Sequence, residues 1–133
     1  MLLQTLKRAL SVLVVDDNKD LCQNVKEVLD SAGYQSACVY DGFKAIEHVQ
    51  KSPPDIILMD VKLPGMNGVE VFKKIKKIIP KVGVIMITGY SVDELVEEAI
   101  REGARGYMNK PLDFDRLFAL IENKDLPPAR NKT

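Results

Sequence analysis

The sequence predicts an α/β domain in which a five-stranded parallel sheet is wound by helices on both faces. Three short runs, Val12 to Val15, Ile56 to Met59 and Val84 to Ile87, are continuously apolar and rich in β-branched residues. Such runs are the pattern of central strands covered on both sides. Stretches with apolar residues at helical spacing separate them, and strand-helix alternation with right-handed crossovers yields a doubly wound sheet.

The first strand leads into a helix with Leu21, Val25, Val28 and Leu29 on one face and a stop at Gly33. A weaker strand, Gln35 to Tyr40, and a second helix follow, then the strand ending at Met59. Phe72, Ile75 and Ile79 mark the inner face of the third helix. After the fourth strand, Ser91-Val92-Asp93-Glu94 has capping-box spacing ahead of Leu95, Ala99 and Ile100, with a stop at Gly103. Gly106 to Asn109 forms the fifth strand, and Asp113 caps a last helix carrying Leu117, Leu120 and Ile121. Residues 11–123 are thus expected to be one domain. Residues 1–10 are an N-terminal extension whose Leu2, Leu3, Leu6 and Leu10 suit a short amphipathic helix, and residues 124–133, with Pro127-Pro128, a tail or linker.

Composition narrows the function. The 133 residues are 46% hydrophobic and 29% charged, enough to bury a core and too apolar for a disordered chain. Lys+Arg and Asp+Glu number 19 each, so no global field draws in nucleic acid or an anionic membrane, and neither is expected as a direct partner. No apolar run approaches the ~18 residues of a membrane span. Cys22 and Cys38 form no disulfide framework and read as buried, inert thiols of a protein in the reducing cytoplasm.

In an open parallel sheet the ligand site lies beyond the carboxyl ends of the strands. There the sequence sets Asp16-Asp17 after the first strand, Asp60 after the third, Thr88 after the fourth and Lys110 after the fifth. Each has a plain reading alone: Asp16 or Asp17 could cap a helix, Asp60 could start a turn, and Thr88 could be an ordinary strand residue. Together, three carboxylates need a cation or a proton to offset them. Oxygen ligands without nearby histidine or cysteine select a hard ion such as Mg²⁺, leaving lysine and hydroxyl for phosphoryl oxygens. His48, in a polar stretch of the second helix, reads as solvated. The cluster Lys73, Lys74, Lys76 and Lys77 reads as the wet face of the third helix.

At these residues the chain resembles the receiver domain of two-component response regulators. The matching stretches are Val12 through Asn18, Met59 through Gly68, Thr88-Gly89-Tyr90 and Tyr107-Met108-Asn109-Lys110-Pro111. The resemblance implies a flavodoxin-like (βα)5 fold with strand order 2-1-3-4-5. It makes Asp60 the phosphoacceptor and a metal ligand, with Asp17 a direct Mg²⁺ ligand, Asp16 a ligand through water, and the backbone carbonyl of Lys62 on the metal. Thr88 and Lys110 would bind phosphoryl oxygens. Thr88 and Tyr107 would switch the surface of helix four, strand five and helix five, and Lys62 and Tyr90 would tune the phosphoryl lifetime. The implied donor is a histidine kinase or phosphotransfer protein. The implied reader is an output domain, a partner or a second copy. Such a chain catalyses its own phosphorylation and slow dephosphorylation and is otherwise a signalling module, free-standing or part of a larger regulator or hybrid kinase.

Three rivals fit less well. A haloacid-dehalogenase-type phosphohydrolase needs an acid two residues after its nucleophile, where Lys62 stands. A flavodoxin-like cofactor binder needs a Gly- and Ser/Thr-rich loop where Asp16-Asp17 would repel a phosphate. A receiver-shaped module that is never phosphorylated would not need the full Asp/Asp/Asp/Thr/Lys set.

Overall fold

Among the described residues five strands form, three at the continuous apolar runs and two at the weaker segments expected between and after them: β1 (Ser11–Val15), β2 (Gln35–Val39), β3 (Ile56–Asp60), β4 (Gly83–Thr88) and β5 (Gly106–Asn109). They alternate with α1 (Lys19–Ser31), α2 (Gly42–Lys51), α3 (Gly68–Ile78), α4 (Asp93–Arg101) and α5 (Phe114–Glu122). The computed structural model describes residues 9–89 and 93–122. Tyr90, the start of the expected capping box at Ser91, the leucines before Leu10 and the segment from residue 123 lie outside the described residues. All strand pairs are parallel, in the order β2-β1-β3-β4-β5, so the expected order is observed.

Strand period two sends alternate residues to opposite faces and so builds two cores. Leu13, Val15, Ile57, Met59, Val84 and Met86 face α2, α3 and α4, meeting Ala45, Val49, Phe72, Ile75 and Ala99. Val12, Val14, Ile56, Leu58, Ile85 and Ile87 face α1 and α5, meeting Cys22, Val25, Leu29, Leu117 and Ile121. Full burial of each such aliphatic side chain contributes about 1.5–3 kcal/mol, which is why the buried positions of β1, β3 and β4 are apolar until the carboxyl ends of the strands. β2 is an edge strand and only partly buried. Hence Cys22 is fully enclosed as expected, whereas Cys38 on β2 is half-buried rather than buried.

Local signals set the helix ends. Asn18 caps α1, its side chain accepting from the Leu21 N–H, so neither Asp16 nor Asp17 serves as the cap. Asn67 and Glu70 form a reciprocal capping box at the start of α3. Asp113 accepts from the Arg116 N–H at the start of α5, as expected. Gly33 and Gly103 follow α1 and α4 with φ of +96° and +107°, a region that favours glycine. No helix among the described residues is long and apolar enough to cross a membrane.

The third-helix lysines form the expected wet face, but two of them are paired. Lys73 pairs with Glu98 of α4, and Lys76 donates to the carbonyl of Glu102 while its ammonium lies 3.8 Å from the Glu102 carboxylate. Both reach acids of the α4 segment with side chains still 42% exposed, whereas Lys74 and Lys77 are fully on the exposed side. His48 is likewise half-buried, lining a cavity of about 180 Å³ with Ser11, Gln35 and Pro54 at the amino ends of the strands.

Arg105, just before β5, donates through Nη1 to the carbonyls of Leu120 (3.2 Å) and Ile121 (3.0 Å) in the last turn of α5. A guanidinium there satisfies orphan carbonyls and meets the negative end of the helix dipole. Arg105→Ala is expected to lower the unfolding free energy by about 1–3 kcal/mol, read as a lower urea midpoint at unchanged slope.

Candidate functional site

The carboxyl edge of the sheet gathers the residues that the sequence singles out. β1 and β3 pair in register from Val12–Ile56 to Val15–Met59, so Asp16 and Asp60 emerge side by side at one edge. Asp60 is the last residue of β3 and Thr88 the last of β4; the expected strands stop one residue short of each. Lys110 follows β5 and precedes a cis peptide bond to Pro111.

Burial makes the electrostatics strong. Asp16 is 0% exposed, Asp60 4% and Thr88 2%, and they are the buried polar residues among the described residues. Asp17 is exposed at the rim. Lys110 enters this acidic site with its ammonium 2.8 Å from Asp16 Oδ2 and 3.4 Å from Asp60 Oδ2. Burial opposes the Lys110 charge, yet the hydrogen bonds and fields of Asp16 and Asp60 raise its pKa above the ordinary lysine value. Burial, then the neighbouring Asp16 charge, push the Asp60 carboxyl up to about 6, against the opposite pull of Lys110 and the Lys62 N–H.

Backbone donors orient both acids. Asp16 Oδ1 accepts from the Asn18 N–H at 2.9 Å, and Asp60 Oδ1 accepts from the Lys62 N–H at 3.3 Å. Thus the turn-forming reading of Asp60 and its place in the acidic cluster are both realised. The loop after β3 is closed by the Val61 N–H on the Ile87 carbonyl and by the Gly68 N–H on the Val61 carbonyl at 2.8 Å. A Cβ on Gly68 would stand 2.0 Å from the Asp60 carbonyl oxygen, so only glycine lets α3 begin this close to β3. Beneath Asp16, the Cys22 thiol donates to the Asp16 carbonyl at 3.2 Å.

One oxygen each from Asp16, Asp17 and Asp60 lies within 4.8 Å of the others. Asp16 Oδ2 is fully buried, and among the described residues the group that meets it is the Lys110 ammonium at 2.8 Å. An all-oxygen set whose two buried carboxylates share one ammonium keeps an excess of negative charge and fits a hard divalent cation. Lys62 has an exposed side chain next to the site, and Tyr107 is half-buried on β5, where its carbonyl accepts from Arg116 Nη2 at 3.4 Å. Tyr90 lies outside the described residues.

Sequence reasoning gathered Asp16, Asp17, Asp60, Thr88 and Lys110 on one edge, and the structure brings them together. It missed the supporting roles of Asn18, Cys22 and Gly68. For Asn18 a signal was present, a cap-type residue directly before a helical pattern. The Cys22 and Gly68 contacts depend on tertiary approach and have no local signature.

A family model described as the response regulator receiver domain matches residues 12–122. Transcriptional regulatory protein ZraR of Escherichia coli (strain K12) is 38% identical over 113 residues, which make up 85% of this chain and 26% of ZraR. The chain therefore spans about a quarter of the length of that relative. Sporulation initiation phosphotransferase F of Bacillus subtilis (strain 168) is 35% identical over 120 residues, covering 90% of this chain and 96% of that protein. The crystal structure of the receiver domain of NtrX from Brucella abortus is similar with a TM-score of 0.79 at 31% identity, covering 85% of this chain and 96% of that one.

The raised Asp60 pKa has a consequence for stability with its sign fixed. A carboxyl that ionises less readily when folded stabilises the fold least at high pH, so metal-free stability falls as pH climbs from about 4 to about 6. In EDTA, Asp60→Asn is expected to exceed wild type in stability by roughly 1–2 kcal/mol at pH 8, allowing for solvent screening, with the gap closing toward pH 4. Chemical denaturation at the two pH values measures it. Equal stability of both proteins at pH 8 would show that the acids do not strain the fold.

Proposed function

The chain belongs to the response regulator receiver domain family, and on that premise we propose that it accepts one phosphoryl group on Asp60 from a partner's phosphohistidine. The observation that carries the reading is the Asp60 carboxylate at the strand end, nearly buried, beside two further carboxylates and within 3.4 Å of the Lys110 ammonium. Residues 11–123 make up the receiver unit in this reading, with 1–10 an extension and 124–133 a tail or linker.

An Asp60 carboxylate oxygen attacks phosphorus in line, the O–P bond forms, and the P–N bond to the donor imidazole breaks with the ring nitrogen taking a proton. Asp17 directly, Asp16 through water, Asp60 and the carbonyl of Lys62 would hold Mg²⁺, which when bound offsets charge on the phosphoryl oxygens. The Lys110 ammonium, already held between Asp16 and Asp60, is positioned to receive an equatorial phosphoryl oxygen. The Thr88 hydroxyl at the end of β4 takes another. In this reading the domain supplies the catalysis for its own modification and acts on no separate substrate.

The output follows from the same residues. Thr88 moving toward a phosphoryl oxygen frees room beside β4, the half-buried Tyr107 ring turns inward, and the face of α4, β5 and α5 changes. An output domain, a separate partner or a second copy reads that face; relatives such as ZraR carry long segments beyond the matched region.

After treatment with acetyl phosphate and Mg²⁺, intact-mass spectra are expected to show one added phosphoryl group on wild type and none on Asp60→Asn, with labelling of Asp17→Ala at least tenfold slower. Labelling of Asp60→Asn equal to wild type would remove Asp60 from the role. The phosphoryl lifetime offers a separate test. The Lys62 side chain stands exposed two residues from Asp60, where it can obstruct in-line water. A tenfold rate change needs only ~1.4 kcal/mol. Lys62→Asn is therefore expected to lose the phosphoryl group severalfold faster in a single-turnover decay, and Tyr90→Ala likewise.

A further inference from the structure

The groove between α2 and α3 is a surface that the phosphoryl chemistry does not use. It encloses about 550 Å³, with Phe43, Gly65 and Met66 on one side and Lys74 and Lys77 on the other. Phe43 is 63% exposed, the most open large apolar side chain among the described residues. Its ring lies over Gly65, where a built Cβ would come within 3.2 Å of ring carbon Cε2. An aromatic beside a glycine and left open to water is an apolar anchor point for a partner's side chain.

The charge around it is unbalanced. Lys73 and Lys76 are taken by Glu98 and by Glu102, whereas Lys74 and Lys77 make no ion pair or hydrogen bond among the described residues. Glu70, the acid on this wall, turns one oxygen back to the Asn67 N–H. Lys74 and Lys77 are three residues apart and therefore neighbours on the helix surface, a spacing that matches carboxylates one turn apart on a second helix. No buried polar side chain lines the groove, so it lacks the convergent polar groups by which a small-molecule pocket fixes its ligand.

We infer that this groove docks an acidic amphipathic helix of a partner protein, its apolar residues against Phe43 and Met66 and its carboxylates against Lys74 and Lys77. The wall that such a helix would press on, Gly65 and Met66, belongs to the loop that leaves Asp60 and is tied to β4 through Val61 and Ile87. A docked partner would therefore bear on the acidic site from the side opposite α5. The inference stands on the groove itself, whether or not Asp60 accepts a phosphoryl group.

The test uses the whole unphosphorylated chain, labelled with ¹⁵N, and a synthetic helical peptide of ~18 residues, long enough to hold a helix, with Leu and Phe on one face flanked by Glu at one-turn spacing. Controls are its Gln counterpart, a Glu peptide without the apolar residues, ATP, and a single-stranded oligonucleotide. Saturable amide shifts are expected at residues 43, 65–66 and 70–77, with each control peptide at least tenfold weaker. Phe43→Ala and the pair Lys74→Glu, Lys77→Glu should each weaken binding about tenfold, as should the milder pair Lys74→Gln, Lys77→Gln, with thermal unfolding unchanged. The inference is overturned by no saturable shift at millimolar peptide, by undiminished binding to the variants, or by shifts centred on another face. It is equally overturned if ATP or the oligonucleotide moves these amides and the acidic peptide does not.

Discussion

Two carboxylates that are almost out of water, at the ends of adjacent strands, define what the rest of this molecule must do. Asp16 and Asp60 are 0% and 4% exposed, and among the described residues one ammonium, that of Lys110, answers both. A buried charge without a partner costs several kcal/mol, so the arrangement depends on delivering Lys110 correctly. Lys110 follows β5, which stands two strands from β3, a gap of about 9–10 Å at ordinary strand spacing. Its four-carbon stem crosses the end of β4, where a Cβ built on Gly89 would lie 3.7 Å from Lys110 Cδ and the Lys110 N–H donates to the Thr88 carbonyl. The strand order, the length of β4 and the reach of a lysine are thus one requirement seen three times.

That requirement explains why so much was legible before any coordinates. Continuous apolar runs at Val12, Ile56 and Val84 can only be strands covered on both sides, and the residue after each run must then lie on one edge. Asp16, Asp60 and Thr88 were found by that rule, and the structure moves them by no more than a residue, Asp60 and Thr88 ending their strands rather than following them. The order of the strands was carried by resemblance and not by periodicity, because hydrophobic patterns say which faces are covered and nothing about which strand lies beside which.

The misreadings share a cause. Composition reports charges, not who meets them: the four third-helix lysines looked alike as a sequence, yet Lys73 and Lys76 meet Glu98 and Glu102 while Lys74 and Lys77 meet no acid among the described residues. Cys38 and His48 were misjudged for the same kind of reason, since edge position makes β2 half-open and the end of α2 half-covered. Gly68 drew no reading of its own as a sequence, whereas its lack of a Cβ is what allows α3 to begin beside the Asp60 carbonyl. Each depends on the approach of elements distant in sequence.

The ties between α3 and α4 also give the domain a mechanical property. Lys73 to Glu98 and Lys76 to Glu102 join the two helices by partly exposed charges, with the hydrophobic contact of Val96 and Ala99 behind them. A displacement of α4 must either break these links or drag α3 along, so they act as a spring between the helix anchored at the acidic edge and the helix on the far side of β4. Springs made of half-exposed ion pairs soften as counterions gather, because the Debye length contracts from about 10 Å at 0.1 M salt to about 3 Å at 1 M. The stiffness of α4 is therefore set partly by the solvent, and the ionic strength of the surroundings adjusts how readily this helix moves without touching the carboxylates at all.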